Sequence, residues 1–210
     1  MKLAISRDVH QYLECVSTLL CEVFSFWRFI LIFCSASCIP LLIQQNVGGS
    51  NYFFNRSWEE FKVGFNDSRG NYWLGNELLH QLTYSGPYKL RFDLQDRNGS
   101  WYYAEYSTFI VYSETSNYKI TVSGYSGNAG DAFLYANNLS FTTYDRDNDP
   151  FTHSYPSYKN NCAVYNGAGF WYYTCSTASV NGVRGRGNDF RWQVNAEVTF
   201  LQSTRMWLVC

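Results

Sequence analysis

The chain has 210 residues and a formal net charge of -1, with charged residues at 16% and aromatic residues at 20%. That length suits one domain of ordinary size plus a leader and excludes two full cores. Near-neutrality without a long basic run excludes a strong electrostatic partner such as nucleic acid, and the aromatic content favours half-buried strands and binding loops over a helical bundle.

Residues Phe29 to Ile43 carry no charge, follow Arg28 and contain Pro40. The run is short for a membrane span of about 20 residues and fits the apolar core of a secretory signal. Ala36 and Cys38 are the small residues ahead of a cut before Ile39. Residues 1–42 are therefore expected to be a hydrophobic leader: a signal peptide or, if uncleaved, a type II membrane anchor. The predicted location is extracellular.

From Asn46 the composition turns to Gly, Asn, Ser and Tyr. Ser57-Trp-Glu-Glu60 reads as a capping box, followed by Trp58, Phe61 and Phe65 on one helical face, and predicts a short helix ending near Gly64. A second helix is predicted from Asn76 to Leu82, with Asn76 as its cap, Leu78, Leu79 and Leu82 clustered, and Gly86-Pro87 closing it. Tyr88 to Leu94 alternates strictly, placing Leu90, Phe92 and Leu94 on the buried face of a strand. Asp96-Arg-Asn-Gly99 predicts a hairpin turn, and strands are expected over Trp101 to Tyr112 and Tyr118 to Val122. After Gly124 the periodicity fades into loops rich in Gly, Asn, Asp and Tyr, which need a metal or a disulfide to hold them.

Cysteines fall in two groups, Cys15, Cys21, Cys34 and Cys38 near the start and Cys162, Cys175 and Cys210 towards the end. The odd total of seven leaves at least one without an intrachain partner. Asn-x-Ser sequons stand at Asn55, Asn66, Asn98 and Asn138, where secretion makes asparagine a glycan acceptor.

Asp145, Asp147 and Asp149 alternate in a turn-rich stretch. Carboxylates so close repel unless solvated or gathered around a hard cation such as calcium. An EF-hand loop is excluded, because Pro150 and Pro156 stand where Gly and Glu are required. Gly124, Gly127 and Gly130 lack the spacing of a phosphate-cradling loop and read as turns. His10, His80 and His153 form no nucleophile-elbow or zinc-protease pattern, so no enzyme is expected. A bridge between Cys162 and Cys175 would contribute about 3 kcal/mol in the chain-entropy model.

The order of these elements carries a resemblance. Trp58-Glu-Glu-Phe-Lys-Val-Gly-Phe65, Tyr72-Trp-Leu-Gly-Asn76, Gly124-Tyr-Ser-Gly-Asn-Ala-Gly-Asp131, Asp145-Arg-Asp-Asn-Asp149, Asn161-Cys-Ala163, Trp171-Tyr-Tyr-Thr-Cys175 and Asn181-Gly182 follow one another as they do in fibrinogen C-terminal (fibrinogen-related) domains. The chain resembles that family, whose members include ficolins, tachylectin-type lectins, angiopoietins and tenascins, from about Ile43 to Val183.

The resemblance implies an α+β fold: a twisted antiparallel sheet, short helices and a loop-rich calcium-binding C-terminal region. It implies calcium held by the side chains of Asp147 and Asp149 and the carbonyls of Phe151 and His153, a Cys162–Cys175 disulfide, and a ligand pocket at Asn166, Thr174, Cys175 and Ser176. Sugar-binding members often place an aromatic ring where Asn166 stands and His where Ser176 stands. Phe170, Trp171, Tyr172 and Tyr173 read as packing residues ahead of ligand stacking.

Two departures accompany the match. The family's N-terminal subdomain is replaced by the leader, and residues 184–210 match neither the family's aromatic loop nor its last sheet strand. A partial domain over 43–183 is then expected, with a sheet short of a partner strand and ladder groups unpaired. The function implied is calcium-dependent recognition of glycans or acetylated groups, the alternative being a protein-binding or matrix module without sugar binding.

Overall fold

The computed structural model describes residues 39–49, 52–152, 160–175, 177–185 and 190–209, together with the backbone of 20–26 and 29–35. The chain divides into two units, Met1–Pro40 and Leu41–Cys210. In the first, β1 (Leu20–Phe26) and β2 (Phe29–Ser35) pair antiparallel, with Cys21 opposite Cys34 in the backbone register. Much of the expected leader, including Cys15, Cys38 and Ala36, lies outside the described residues. No helix among the described residues is long and apolar enough to cross a membrane.

The second unit is built on one antiparallel sheet. Its strands are β3 (Leu41–Asn46), β4 (Phe65–Asn66), β5 (Tyr72–Trp73), β6 (Lys89–Asp96), β7 (Trp101–Val111), β8 (Ile120–Gly127) and β13 (Glu197–Val209). They lie in the order β4-β5-β3-β13-β6-β7-β8, and β11 (Ala178–Ser179) and β12 (Arg191–Val194) extend it beside β13. A separate pair joins β9 (Phe141–Thr142) to β10 (Phe170–Trp171).

Strict alternation in β6 places Leu90, Phe92 and Leu94 in the core while Lys89, Arg91 and Asp93 face outwards, as a half-buried strand requires. The hairpin turn over Asp96–Gly99 forms, with Gly99 at φ 88 in the left-handed region that glycine enters freely. Above the inner face lie α1 (Trp58–Val63) and α2 (Asn76–Ser85). The capping box at the start of α1 is complete, Ser57 accepting from the Glu60 amide and Glu60 from the Ser57 amide, and the helix stops at Gly64.

The second helix differs from its predicted start. Asn76 is its first residue, not its cap: fully buried, it accepts through Oδ1 from Trp73 Nε1 at 3.2 Å, and Gly75 precedes the helix with no side chain to offer. Nor do its three leucines cluster, since Leu79 is buried and Leu78 exposed. Tyr118 is not in a strand. Its φ of 47 breaks the extended run, its ring stacks on Trp58 at 5.5 Å, and β8 begins at Ile120.

The largest correction concerns the end of the chain. Far from leaving the sheet short, residues 197–209 form β13, which inserts between β3 and β6 and pairs with both. Leu201, Thr204, Met206 and Leu208 are its buried residues. The shift in register between Leu201 and Ser203 interrupts the alternation of β13, because a bulge flips the side chains beyond it, whereas the shift between Met206 and Trp207 leaves Thr204, Met206 and Leu208 alternating; one of these buried positions is the polar Thr204.

Beyond the sheet a second aromatic layer forms. Phe141 lies 4.9 Å from Phe61, 5.7 Å from Trp73 and 4.9 Å from Trp171, joining α1, β5, β9 and β10. This cluster carries the loops that follow Gly127.

Candidate functional site

The Asp145–Asp149 loop is fixed by three side chains that face the domain. Asp145 accepts from the Trp58 amide at 3.0 Å and from the Thr143 hydroxyl at 2.7 Å, so it caps the start of α1, where a negative charge is favoured. Arg146 stacks over the Trp58 ring at 4.0 Å and donates to Asn117 Oδ1 at 2.7 Å. Asn148 donates to the Phe141 carbonyl at 2.7 Å. Of the three aspartates, only Asp147 and Asp149 remain for other work.

Asp149 is half-buried. Its Oδ1 accepts from the Phe151 amide at 3.0 Å and its Oδ2 from the Cys162 amide at 2.9 Å. Burial pushes its carboxyl up to about 7, and the neighbouring Asp147 carboxylate adds to the rise. Such a pair lacks positive charge, and its oxygens are the hard donors that calcium takes. Among the described residues no group of three or more His, Cys, Asp and Glu that could hold a metal ion gathers. Phe151 is half-buried, and His153 lies outside the described residues.

Cys162 and Cys175 form a disulfide. Cys162 opens α3 (Cys162–Asn166), which Asn161 caps by accepting from the Val164 amide at 3.0 Å while its own amide donates to the Thr143 carbonyl at 3.0 Å. The bridge, α3 and the aspartate loop are thus tied together by Asn161 and Asp149. Asn166 is fully buried and donates to the Cys175 carbonyl at 2.9 Å, so it braces the loop from inside. Cys175 has a positive φ of 61 and is buried, Thr174 is exposed, and Ser176 lies outside the described residues.

Of the neighbouring aromatics, Phe170, Trp171 and Tyr172 are core residues, and the Tyr172 hydroxyl donates to the Ala168 carbonyl at 2.7 Å. Tyr173 is different. It is 46% exposed and stacks on Tyr135, itself 50% exposed, with centroids 5.6 Å apart and an interplanar angle of 15°. Leu134 stands beside Tyr135, also exposed. Asp131 holds this turn on the sheet, accepting from the Tyr106 hydroxyl at 2.7 Å and from the Leu134 amide at 3.0 Å. Burial keeps Tyr106 protonated as the donor.

Sequence reasoning missed Tyr135 as a surface residue. The available signal was an adjacent Leu134-Tyr135 pair just after a Gly-Asp turn, without a periodic partner. It also missed a shallow depression of about 260 Å³ on the outer face of the sheet, lined by Arg91, Asp93, Trp101, Tyr102, Tyr103 and Arg205.

Asn181 closes the other side of the loop region. Its amide donates to the Gly169 carbonyl at 3.0 Å, and its Oδ1 accepts from Gln44 Nε2 at 2.9 Å. Gln44 also bonds Thr204 of β13 at 3.1 Å. This fully buried network locks the loop region to the middle of the sheet.

Residues 29–207 match the family described as fibrinogen beta and gamma chains, C-terminal globular domain. Among curated relatives, angiopoietin-related protein 2 of Mus musculus is 40% identical over 150 residues, 71% of this chain and 29% of its own length. Fibroleukin of Bos taurus is 41% identical over 146 residues, 67% of this chain and 32% of its own. The chain thus spans about a third of the length of these relatives. Among solved structures, the fibrinogen-like globe domain of human ANGPTL2 superposes with a TM-score of 0.71 at 32% identity, covering 95% of this chain and 96% of that one. Lamprey fibrin D-dimer, complexed with the peptide Gly-His-Arg-Pro-amide, gives 0.68 at 28% identity over 87% of this chain and 65% of that one.

Proposed function

The chain belongs to the fibrinogen C-terminal domain family, and from that premise we propose that it is an extracellular protein-recognition domain, not an enzyme, whose contact surface is the loop region beyond Gly127. The observation that carries this reading is the Tyr135–Tyr173 stack, with Leu134 beside it, held in water by a disulfide loop and the half-buried Asp131 anchor. Exposed, preorganised aromatic rings are the residues that dominate protein interfaces. Kinship supports it too, through angiopoietin-related proteins and a fibrin fragment solved with a peptide.

The glycan reading gains no comparable support. It requires Asn166 to face a ligand, and Asn166 is enclosed with its amide engaged by the Cys175 carbonyl.

Calcium belongs to the same proposal. Asp147 and Asp149 would hold it with the carbonyl of Phe151, and the bound ion would supply the positive charge that these carboxylates lack. What the chain itself does is position: Asp145, Arg146 and Asn148 fix the loop, and the Asp149–Cys162 bond relays its placement to the bridge.

The test is proximity labelling on the surface of endothelial and haematopoietic cells with the chain and with its Tyr135→Ala/Tyr173→Ala variant, both folded by circular dichroism. Labelled proteins common to repeats are expected to fall at least tenfold with the variant and to be unaffected by N-acetylglucosamine. Labelling that N-acetylglucosamine abolishes, or that the variant keeps, overturns the proposal.

A further inference from the structure

We propose that Asn55, Asn66, Asn98 and Asn138 are N-glycosylation acceptors, leaving the aspartate and disulfide loops free of glycan. The inference rests on the extracellular location proposed above and not on the partner.

Each of these asparagines is exposed. Asn55 follows the turn closed by its own amide on Tyr52, Asn66 lies in the edge strand β4, Asn98 occupies the β6–β7 turn, and Asn138 stands at φ 65 after the Tyr135 turn. Nine asparagines outside sequons behave otherwise. The side chains of Asn46, Asn71, Asn117, Asn128, Asn137, Asn148, Asn161, Asn166 and Asn181 all bond backbone or other side chains. A glycan on Nδ2 of Asn46, Asn71, Asn148, Asn161, Asn166 or Asn181 would take an amide that donates a native bond, whereas the four sequon residues are exposed.

The chemistry needs one co-reactant, an oligosaccharide carried on a lipid pyrophosphate. The carboxamide Nδ2 forms a bond to the anomeric carbon and loses a proton. The lipid pyrophosphate leaves with the electron pair of the broken C–O bond, and nothing is oxidised or reduced. The middle residues of the sequons, Arg56, Asp67, Gly99 and Leu139, include no proline, as the motif demands.

The acceptors are not equivalent. Ser57, the hydroxyl residue of the Asn55 sequon, is locked in the capping box with Glu60, whereas Ser68 and Ser100 are exposed. Transfer to Asn55 therefore competes with formation of α1, and transfer to Asn98 does not. From Phe141 to the end of the chain there is no Asn-x-Ser or Asn-x-Thr. The segment with Asp147, Asp149 and the Cys162–Cys175 bridge keeps a bare protein surface.

The full chain is expressed in secreting animal cells, and whole cells and medium are digested with a peptide N-glycosidase, so that a variant retained by misfolding still reports. Four mobility steps are expected, one removed by each of Asn55→Gln, Asn66→Gln, Asn98→Gln and Asn138→Gln, with each released acceptor read as aspartate in peptide maps. Glu60→Ala, which loosens the capping box, is expected to raise occupancy at Asn55 and leave Asn98 unchanged. A glycosidase-insensitive chain, or a sensitive quadruple variant, overturns the proposal. Partner labelling is measured separately, so failure there and failure here are distinguishable.

Discussion

In the sheet, Leu90, Phe92 and Leu94 of β6, Phe109 and Val111 of β7 and Met206 and Leu208 of β13 are buried side by side, and apolar area removed from water holds them. Between Asn128 and Phe190 anchors of another kind join the aromatic cluster: Asn148, Asn161, Asn166 and Asn181 each donate to a main-chain carbonyl. Apolar burial has no direction and tolerates exchange of one hydrophobe for another. A buried amide bond has direction, and losing one partner strands the other at roughly 1–3 kcal/mol. The sheet is therefore the robust half, and the loop half keeps its surface free to present Tyr135 and Tyr173 because its fixing is done from inside.

The sharpest way to break the contrast is to remove β13. A chain ending at Ala196 loses the strand between β3 and β6 with its buried Leu201, Met206 and Leu208. Exposing both neighbours exceeds the roughly 5–15 kcal/mol that separates folded from unfolded domains. No soluble folded protein is expected, as read by near-ultraviolet circular dichroism; a folded product with the parental spectrum would refute the central role of β13.

Cys162→Ser with Cys175→Ser acts on the loop half alone. The bridge spans a sequence separation of 13, and opening it should remove about 3 kcal/mol. Hydrogen exchange is expected to quicken from Phe141 to Val183 while β6 and β7 stay protected. Equal loss in both regions would show that they unfold as one unit.

Calcium sharpens the same boundary. A site filled to about 100 times its dissociation constant stabilises by about 2.7 kcal/mol. Calcium is expected to raise the parental melting temperature and to leave Asp147→Asn/Asp149→Asn unmoved. A rise retained by that variant would move the ion elsewhere.

What the sequence revealed follows the same division. Strict alternation made β6 and its hairpin legible, and the capping box made α1 legible, because each is a local rule. The strand β13 stayed hidden, since its bulge at Gln202 and its buried Thr204 disguise the period. In the loop half, motif order pointed to the Cys162–Cys175 bridge, which forms. Periodicity says nothing about which asparagines turn inwards: the resemblance implies a ligand position at Asn166, and the fold makes it a buried brace. Asp145 looked like its two neighbours until the fold placed the Trp58 amide beside it. Such pairings span 87 residues for Asp145 and 137 for Gln44 and Asn181, distances over which side-chain type carries no local signal.

The smallest expected effect lies where the two regions meet. Arg146 belongs to the aspartate loop yet covers Trp58 of α1 at 4.0 Å, donates to Asn117 at 2.7 Å and lies 3.9 Å from Glu114. Lysine in its place keeps the charge and loses the flat guanidinium that stacks and donates at once. An exposed cation on an indole contributes about 0.5–1 kcal/mol, and Glu114 still has Lys62 at 2.7 Å and Trp58 Nε1 at 2.8 Å. Arg146→Lys should therefore cost less than about 1 kcal/mol, well below the disulfide variant, and it should act on loop and α1 together because it is a contact between them. A double-mutant cycle with Trp58→Phe reads this directly. Coupling of several tenths of a kcal/mol is expected from denaturation midpoints, whereas strict additivity would mean that Arg146 serves the loop alone and that the Asp145 cap holds α1 without its help.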